Sequence, residues 1–275
     1  MNTNSAFYIG RGHLVCQDYV ISGQNDDSCY VILADGCSSS PDTDIGARFL
    51  VKAAESFIYQ IQVGPKALPS LERYHQQSVQ FASLSSKFLK LDPSCLDATL
   101  LTIKADKTGF VASCYGDGVI ALARKSGYLE IYSVEFDDGY PQYVSYTMDA
   151  LRRQGFDAQT TNHKSVTHVT IPQVRPSGGV TRSNEVIEFH FGNKSDYLFA
   201  AVLSDGVHSF VEYDKEDPGR VSHAVSMQEV VAQILAFSST RGDFVSRRMS
   251  AFYQVCMARS WHHDDDLSVG VIALG

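Results

Sequence analysis

Apolar and polar positions alternate along this chain with two different periods. Cys29 to Ala34 is a short continuous apolar run, and such a run predicts a buried strand. Ile45, Phe49, Ala53, Phe57 and Ile61 recur at spacings of four and predict one face of a helix. Phe81, Leu84, Phe88 and Leu91 predict the face of a second helix, ended by Asp92-Pro93. Between the two, Val63-Gly64-Pro65 and Leu68-Pro69-Ser70 read as loop. A meander of β-rich runs comes next: Ala98 to Lys104, Phe110 to Tyr115, Val119 to Arg124 and Tyr128 to Ser133. Their separators, among them Asp117-Gly118 and Lys125-Ser126-Gly127, are hairpin chemistry. From about Glu135 to Lys194 the chain is rich in Gly, Gln, Thr and Ser. That segment predicts an irregular excursion, a cover near the functional site, although strand-like runs resume at Val186 to Phe191 and Tyr197 to Ser204. Met227, Val230, Val231, Ile234 and Leu235 mark one later helix. Val245, Met249, Phe252 and Cys256 mark another, and a last strand begins after Asp266.

Grouped rather than alternating elements argue for an α+β fold of mainly antiparallel sheets with helices outside. Two such sheets packed face to face give a four-layer α-β-β-α sandwich. No internal repeat, low-complexity run or linker divides residues 1–275, so a single domain is expected.

Composition narrows the function classes. Hydrophobic residues make up 44% of the 275 positions, enough for a sizeable core. A net charge of −8 argues against non-specific nucleic-acid binding, which needs a basic surface. No apolar run approaches the roughly 20 residues of a membrane span, and Met1 to Ala6 lacks the regions of a signal peptide. The six cysteines are scattered without metal-site spacing and read as reduced thiols. A cytoplasmic protein is the expectation.

Four strand-like runs meet an aspartate. Val31 to Ala34 runs into Asp35-Gly36, Val111 to Gly116 into Asp117-Gly118, and Leu198 to Ser204 into Asp205-Gly206. In inverted order, Asp264-Asp265-Asp266 opens the strand from Leu267. Any one Asp-Gly pair is also ordinary turn chemistry. Four carboxylates at strand ends can instead converge on a hard cation, which wants oxygen ligands. In the triplet, Asp265 fits the register best, and Asp264 and Asp266 read as a solvated charge run. His262 and His263, adjacent on a strand, point to opposite faces and read as solvent-facing.

Gln17-Asp18, Asp35-Gly36, Asp97-Ala98-Thr99, Gly116-Asp117, Ser204-Asp205-Gly206 and Asp265-Asp266-Leu267-Ser268-Val269 occur in one order. In that order and spacing the chain resembles the metal-dependent protein phosphatases of the 2C type, from about Gly12 to Leu274. The resemblance implies a four-layer sandwich with two Mg2+ or Mn2+ ions between its sheets, and a third, weaker ion. It implies metal ligation by Asp18 (through water), Asp35, the Gly36 carbonyl, Asp117, Asp205 and Asp265. Asp35 and Asp205 would be central to catalysis. His13 stands where the family carries the arginine that grips the substrate phosphate, with Arg11 two residues earlier. The glycine-rich turn after the first aspartate is Cys37-Ser38-Ser39-Ser40 here. The implied function is hydrolysis of phosphoserine and phosphothreonine in phosphoproteins by metal-activated water, opposing a serine/threonine kinase. The departures at His13 and Cys37 keep two alternatives open: a catalytically weak, phosphatase-like sensor or binding module, and a hydrolase of small phosphate esters.

Overall fold

The computed structural model describes residues 1–25, 27–159, 161–172, 179–182, 186–214 and 220–275. Strands β1 (Asn2–Tyr8), β2 (Tyr19–Gln24) and β3 (Ser28–Ala34) precede helices α1 (Thr43–Phe57) and α2 (Ala67–Phe88). Then come β4 (Leu100–Asp106), β5 (Phe110–Tyr115), β6 (Gly118–Arg124) and β7 (Leu129–Phe136). A short helix α3 (Ala150–Asp157) leads to β8 (Lys164–Ile171), β9 (Gly179–Arg182), β10 (Ile187–Gly192) and β11 (Tyr197–Leu203). The C-terminal part holds β12 (Phe210–Tyr213), β13 (Val221–Ala224), α4 (Met227–Ile234), α5 (Phe244–Arg259), β14 (Trp261–His263) and β15 (Leu267–Ala273).

The strands form a seven-stranded sheet in the order β1-β15-β11-β6-β7-β8-β9 and a five-stranded sheet in the order β10-β5-β4-β3-β2. A small third sheet, β13-β12-β14, sits beside them. All pairings are antiparallel. Alternate residues of each strand face opposite ways, which produces three stacked apolar layers. Val31, Leu33, Leu101 and Ile103 of the five-stranded sheet meet Ile120, Val202 and Ile272 of the seven-stranded one. Ile32 and Leu100 face Leu50, Val51, Leu71 and Tyr74 of α1 and α2. Ala201, Val269 and Val271 face Val230, Phe252 and Cys256 of α4 and α5. The expected four-layer sandwich is the observed one. β15 packs closely on β3: a Cβ on Gly270 would lie 2.0 Å from the Val31 side chain.

Several elements differ from the sequence reading. β1 and β2 carry too many polar residues to announce strands, yet β1 pairs with β15 over seven residue pairs and β2 with β3 over six. Leu68-Pro69-Ser70 is the first turn of α2 rather than loop; proline is tolerated there because the first turn has no intrahelical use for its missing N–H. The stripe Phe81, Leu84, Phe88 faces outward, 50%, 63% and 86% exposed, while Leu71, Tyr74, Val79 and Ala82 face the sheet. The 135–194 segment is not an irregular excursion. β8 extends the seven-stranded sheet by eight pairs with β7, and β10 completes the five-stranded sheet against β5. Its polar strands hide because β9 and β10 lie at sheet edges and β8 one strand in from an edge, where one face stays wet. Residues 160, 173–178 and 183–185 of that span lie outside the described residues.

Candidate metal centre

Antiparallel register decides where the aspartates fall. Ala34 pairs with Tyr19, and Leu203 pairs with both Val119 and Val269. Asp18 and Asp35, one residue beyond the first pair, and Asp117 and Asp205, two residues beyond the second, therefore emerge at the same end of the two sheets, as does the Asp265-Asp266 entry into β15. Asp117 reaches this end for a reason other than the hairpin expected of its sequence. β5 and β6 belong to different sheets, so Gly116-Asp117-Gly118 is a crossover from one sheet to the other. Both glycines have positive φ, 96° and 131°, which the turn requires and other residues rarely adopt.

Asp35, Gly36, Asp117, Asp205 and Asp265 line one cavity of about 200 Å³ together with Thr99 and the Cys37-Ser38-Ser39 turn. Gly139, Tyr140, Pro141 and Tyr143 form the opposite wall. Among the described residues, no lysine, arginine or histidine lines it. The backbone beneath is fixed: Asp35 N–H donates to the Thr99 hydroxyl at 3.1 Å, and Thr99 N–H donates to the Asp35 carbonyl at 2.8 Å. Asp18 lies under the cavity, fully buried, and neither carboxylate oxygen has a hydrogen-bond partner. Its polar neighbours are Asp35, Ser204 and Ser268.

Crowding acid groups away from water disfavours their charged forms. Burial, only partly offset by the nearby polar side chains of Asp35, Ser204 and Ser268, pushes the Asp18 carboxyl up to about 7. Burial and then the Asp18, Asp205 and Asp265 charges hold Asp35 well above the ordinary carboxylate range. Asp117 is raised by burial and by Asp205 and Asp265, and Asp265 is pushed up to about 6 by burial and Asp205. This donor set fits a hard divalent cation: all oxygen, anionic, with an orphaned buried carboxylate behind it. Among the described residues no three side chains close on one point as a finished cage. Mg2+ does not ask for one, because it keeps several waters and takes one or two carboxylates.

His13 reaches the site only through its neighbours. Its Nδ1 lies 3.0 Å from Asp266 Oδ2 and its Nε2 lies 3.5 Å from Asp265 Oδ1, so both nitrogens face carboxylates. Burial pushes the ring down, but Asp266, Asp265 and Asp18 outweigh it, and its pKa ends above the ordinary value. Arg11 points elsewhere, its guanidinium 5.2 Å from the centre of the Tyr213 ring. Asp266 is no solvated charge. It is 1% exposed and accepts the backbone N–H groups of Gly10 at 2.8 Å and Gln17 at 2.6 Å, tying the 10–17 loop to the start of β15. His263 is buried as well, its Nε2 2.9 Å from the Tyr253 hydroxyl and its Nδ1 2.8 Å from the Asp265 carbonyl. His262 is exposed as expected.

Two supports were not foreseen. Asp97, 3% exposed, accepts from Ser145 at 2.8 Å, from Ser40 at 3.0 Å and from Arg152, while its carbonyl accepts the Cys37 N–H at 2.8 Å. It binds the turn after Asp35 to the 143–152 segment. Tyr143 faces the Cys37 sulfur. Burial raises the Cys37 thiol, but hydrogen bonds with Ser39, Tyr143 and Ser40 bring it below its ordinary value. The turn-forming run Asp137-Asp138-Gly139-Tyr140-Pro141 was the sequence signal for this wall.

A four-layer sandwich of two antiparallel sheets with an acidic cavity at the sheet ends defines the class. The sequence pattern of the protein phosphatase 2C family matches residues 9–251, and the chain belongs to that family. Members of the family are metal-dependent. No curated protein sequence matches the chain. Among solved structures, the fold is similar to the serine/threonine phosphatase Stp1 from Staphylococcus aureus, with 12% identity, TM-score 0.55, and coverage of 99% of this chain and 95% of that one. It is similar to a bacterial serine phosphatase, with 11% identity, TM-score 0.55 and coverage of 100% and 98%. It also resembles the S. agalactiae serine/threonine phosphatase, with 16% identity, TM-score 0.51 and coverage of 98% and 97%. No helix among the described residues is long and apolar enough to cross a membrane.

Proposed function

We propose that this protein is a metal-dependent phosphatase acting on phosphoserine and phosphothreonine in protein substrates of a serine/threonine kinase. The observation that supports this best is the cavity itself, with four carboxylates on its surface, an unpartnered fifth beneath and, among the described residues, no basic side chain. Such a pocket repels a phosphate dianion unless cations neutralise it. Asp35, the Gly36 carbonyl, Asp205 and Asp265 would hold two Mg2+ or Mn2+ ions, Asp18 would act through water, and Asp117 would hold a third, weaker ion. When bound, these ions supply positive charge for the phosphoryl oxygens and lower the pKa of a water molecule. The chain's own contribution is positioning: Thr99 fixes Asp35, Asp266 fixes the loop before Asp18, and Tyr140, Pro141 and Tyr143 wall the cavity from water on one side. In phosphoryl transfer such positioning and charge stabilisation are most of what a protein provides.

Activity is tested by Mn2+-dependent release of 4-nitrophenol from its phosphate, with EDTA as control, followed by phosphopeptides against small phosphate metabolites. Asp35→Asn and Asp205→Asn are expected to abolish turnover while leaving the fold intact, because a neutral amide cannot balance two dications. Retention of more than about a tenth of the activity, roughly 1.4 kcal/mol of barrier, contradicts the ligand assignment.

A second reading, a binding module with weak turnover, is favoured by one observation. His13 and Arg11, the nearest candidates for a phosphate grip, face carboxylates and an aromatic ring instead. Saturable phosphopeptide binding without hydrolysis would support it.

A further inference from the structure

A second cavity, of about 370 Å³, lies away from the acidic one, between α2 and the 144–153 segment. Leu68, Tyr115, Val144 and Ile187 give it apolar walls, and Glu72 and Arg153 stand among its lining residues. This size is within the range that takes a small organic ligand. His75 belongs to its wall and is 2% exposed, with the rings of Tyr74 and Tyr115 each 5.2 Å from its centre. Neither ring nitrogen has a hydrogen-bond partner. Burial pushes its pKa down to about 3, so the ring is neutral and offers one donor and one acceptor. An orphaned, buried imidazole in the wall of a cavity calls for an explanation, since buried polar groups are normally paired.

We propose that this cavity binds a small, flat, uncharged organic molecule bearing a carboxamide or hydroxyl group, with its apolar body between Tyr115, Val144 and Ile187 and its polar group on His75. Both ring nitrogens are buried, so the bond requires the ring edge to turn toward the cavity. Charged ligands are disfavoured because Glu72 is exposed, Arg153 is already paired with Asp157, and a neutral imidazole cannot compensate a buried charge. The site communicates with the acidic cavity. Val144 is the chain neighbour of Tyr143, and Ser145 and Arg152 both hold Asp97, which in turn holds the Cys37 turn. This inference does not depend on the phosphatase reading, since its test needs no catalysis.

The test uses benzamide and toluene as probes that share a phenyl ring and differ in polarity, added to the full chain with histidine-labelled NMR detection. Benzamide is expected to shift the His75 ring resonances saturably and to bind about fivefold tighter than toluene, the worth of one net hydrogen bond. His75→Phe, which replaces an orphaned polar ring with an apolar one of similar outline, is expected to bring that ratio to about one. Amide exchange over 143–153 slows on benzamide binding in the wild type. No saturable shift with either probe, or an unchanged ratio in His75→Phe, overturns the site, the imidazole then being satisfied by water alone. Unchanged exchange over 143–153 overturns the link to the acidic cavity.

Discussion

Removing metal should make this protein less stable as pH rises, the reverse of ordinary acid denaturation. Asp18 is fully buried, and its carboxyl titrates at about 7 against 3.8 for the ordinary group. A carboxyl whose folded pKa is raised binds its proton more tightly in the native state. Its contribution to stability is therefore complete below the unfolded pKa and is lost as pH climbs through the folded one. The full shift corresponds to about 4 kcal/mol, of which about 2 kcal/mol falls between about pH 5.5 and 8.5. Asp35 and Asp117 are displaced in the same direction and add to the slope. Urea unfolding in EDTA across that range measures it. Mn2+ binds the ionised carboxylates of the native state only, so it should stabilise most at high pH and flatten or invert the profile. Asp18→Asn keeps the shape without the charge and should remove about 2 kcal/mol of the EDTA slope. A metal-free stability that holds level or rises from pH 5.5 to 8.5, or an unchanged slope in Asp18→Asn, refutes the reasoning.

Other perturbations bear on the supports of the site. Asp97→Ala strips Arg152, Ser145 and Ser40 of their common acceptor and should cost about 3 kcal/mol, the low end for breaking a buried pair because Arg152 keeps some water; a urea midpoint close to wild type contradicts this. Gly206→Ala would place a methyl 1.8 Å from the Asp266 carbonyl oxygen, so it should destabilise by about 3 kcal/mol or more and displace Asp205; normal stability and Mn2+ affinity would show that the strand end yields freely. His13→Ala removes a ring that competes with cations for Asp265, so half-activation should need less Mn2+ while KM for an aryl phosphate stays unchanged. A raised KM that His13→Arg restores would instead place the side chain on the phosphate.

What the sequence made legible divides along a physical line. The buried strands β3, β4, β5, β11 and β15 announce themselves because both faces are covered, leaving continuous apolar runs. The aspartates at their ends are local in sequence, so their order could be read before any fold was known. Partners brought by register could not. Asp266 reads, with Asp264, as a solvated acid until the N–H groups of Gly10 and Gln17, some 250 residues away, close on it. Asp97 reads only as the start of the Asp97-Ala98-Thr99 motif until Arg152 and Ser145 arrive from beyond four strands. The Phe81-Leu84-Phe88 stripe misleads for the opposite reason: periodicity marks a helix face without saying which face is covered. On α2 the covered side is a mixed one, with Tyr74, His75 and Ser78 among its residues. The orphaned imidazole lies on that mixed side, where a helix-face reading by hydrophobicity does not look. The acidic cavity and the His75 cavity thus differ in how they are encoded. The first is written as a repeated strand-end motif, and the second exists only in the packing of α2 against a segment that sequence pattern assigned to irregular chain.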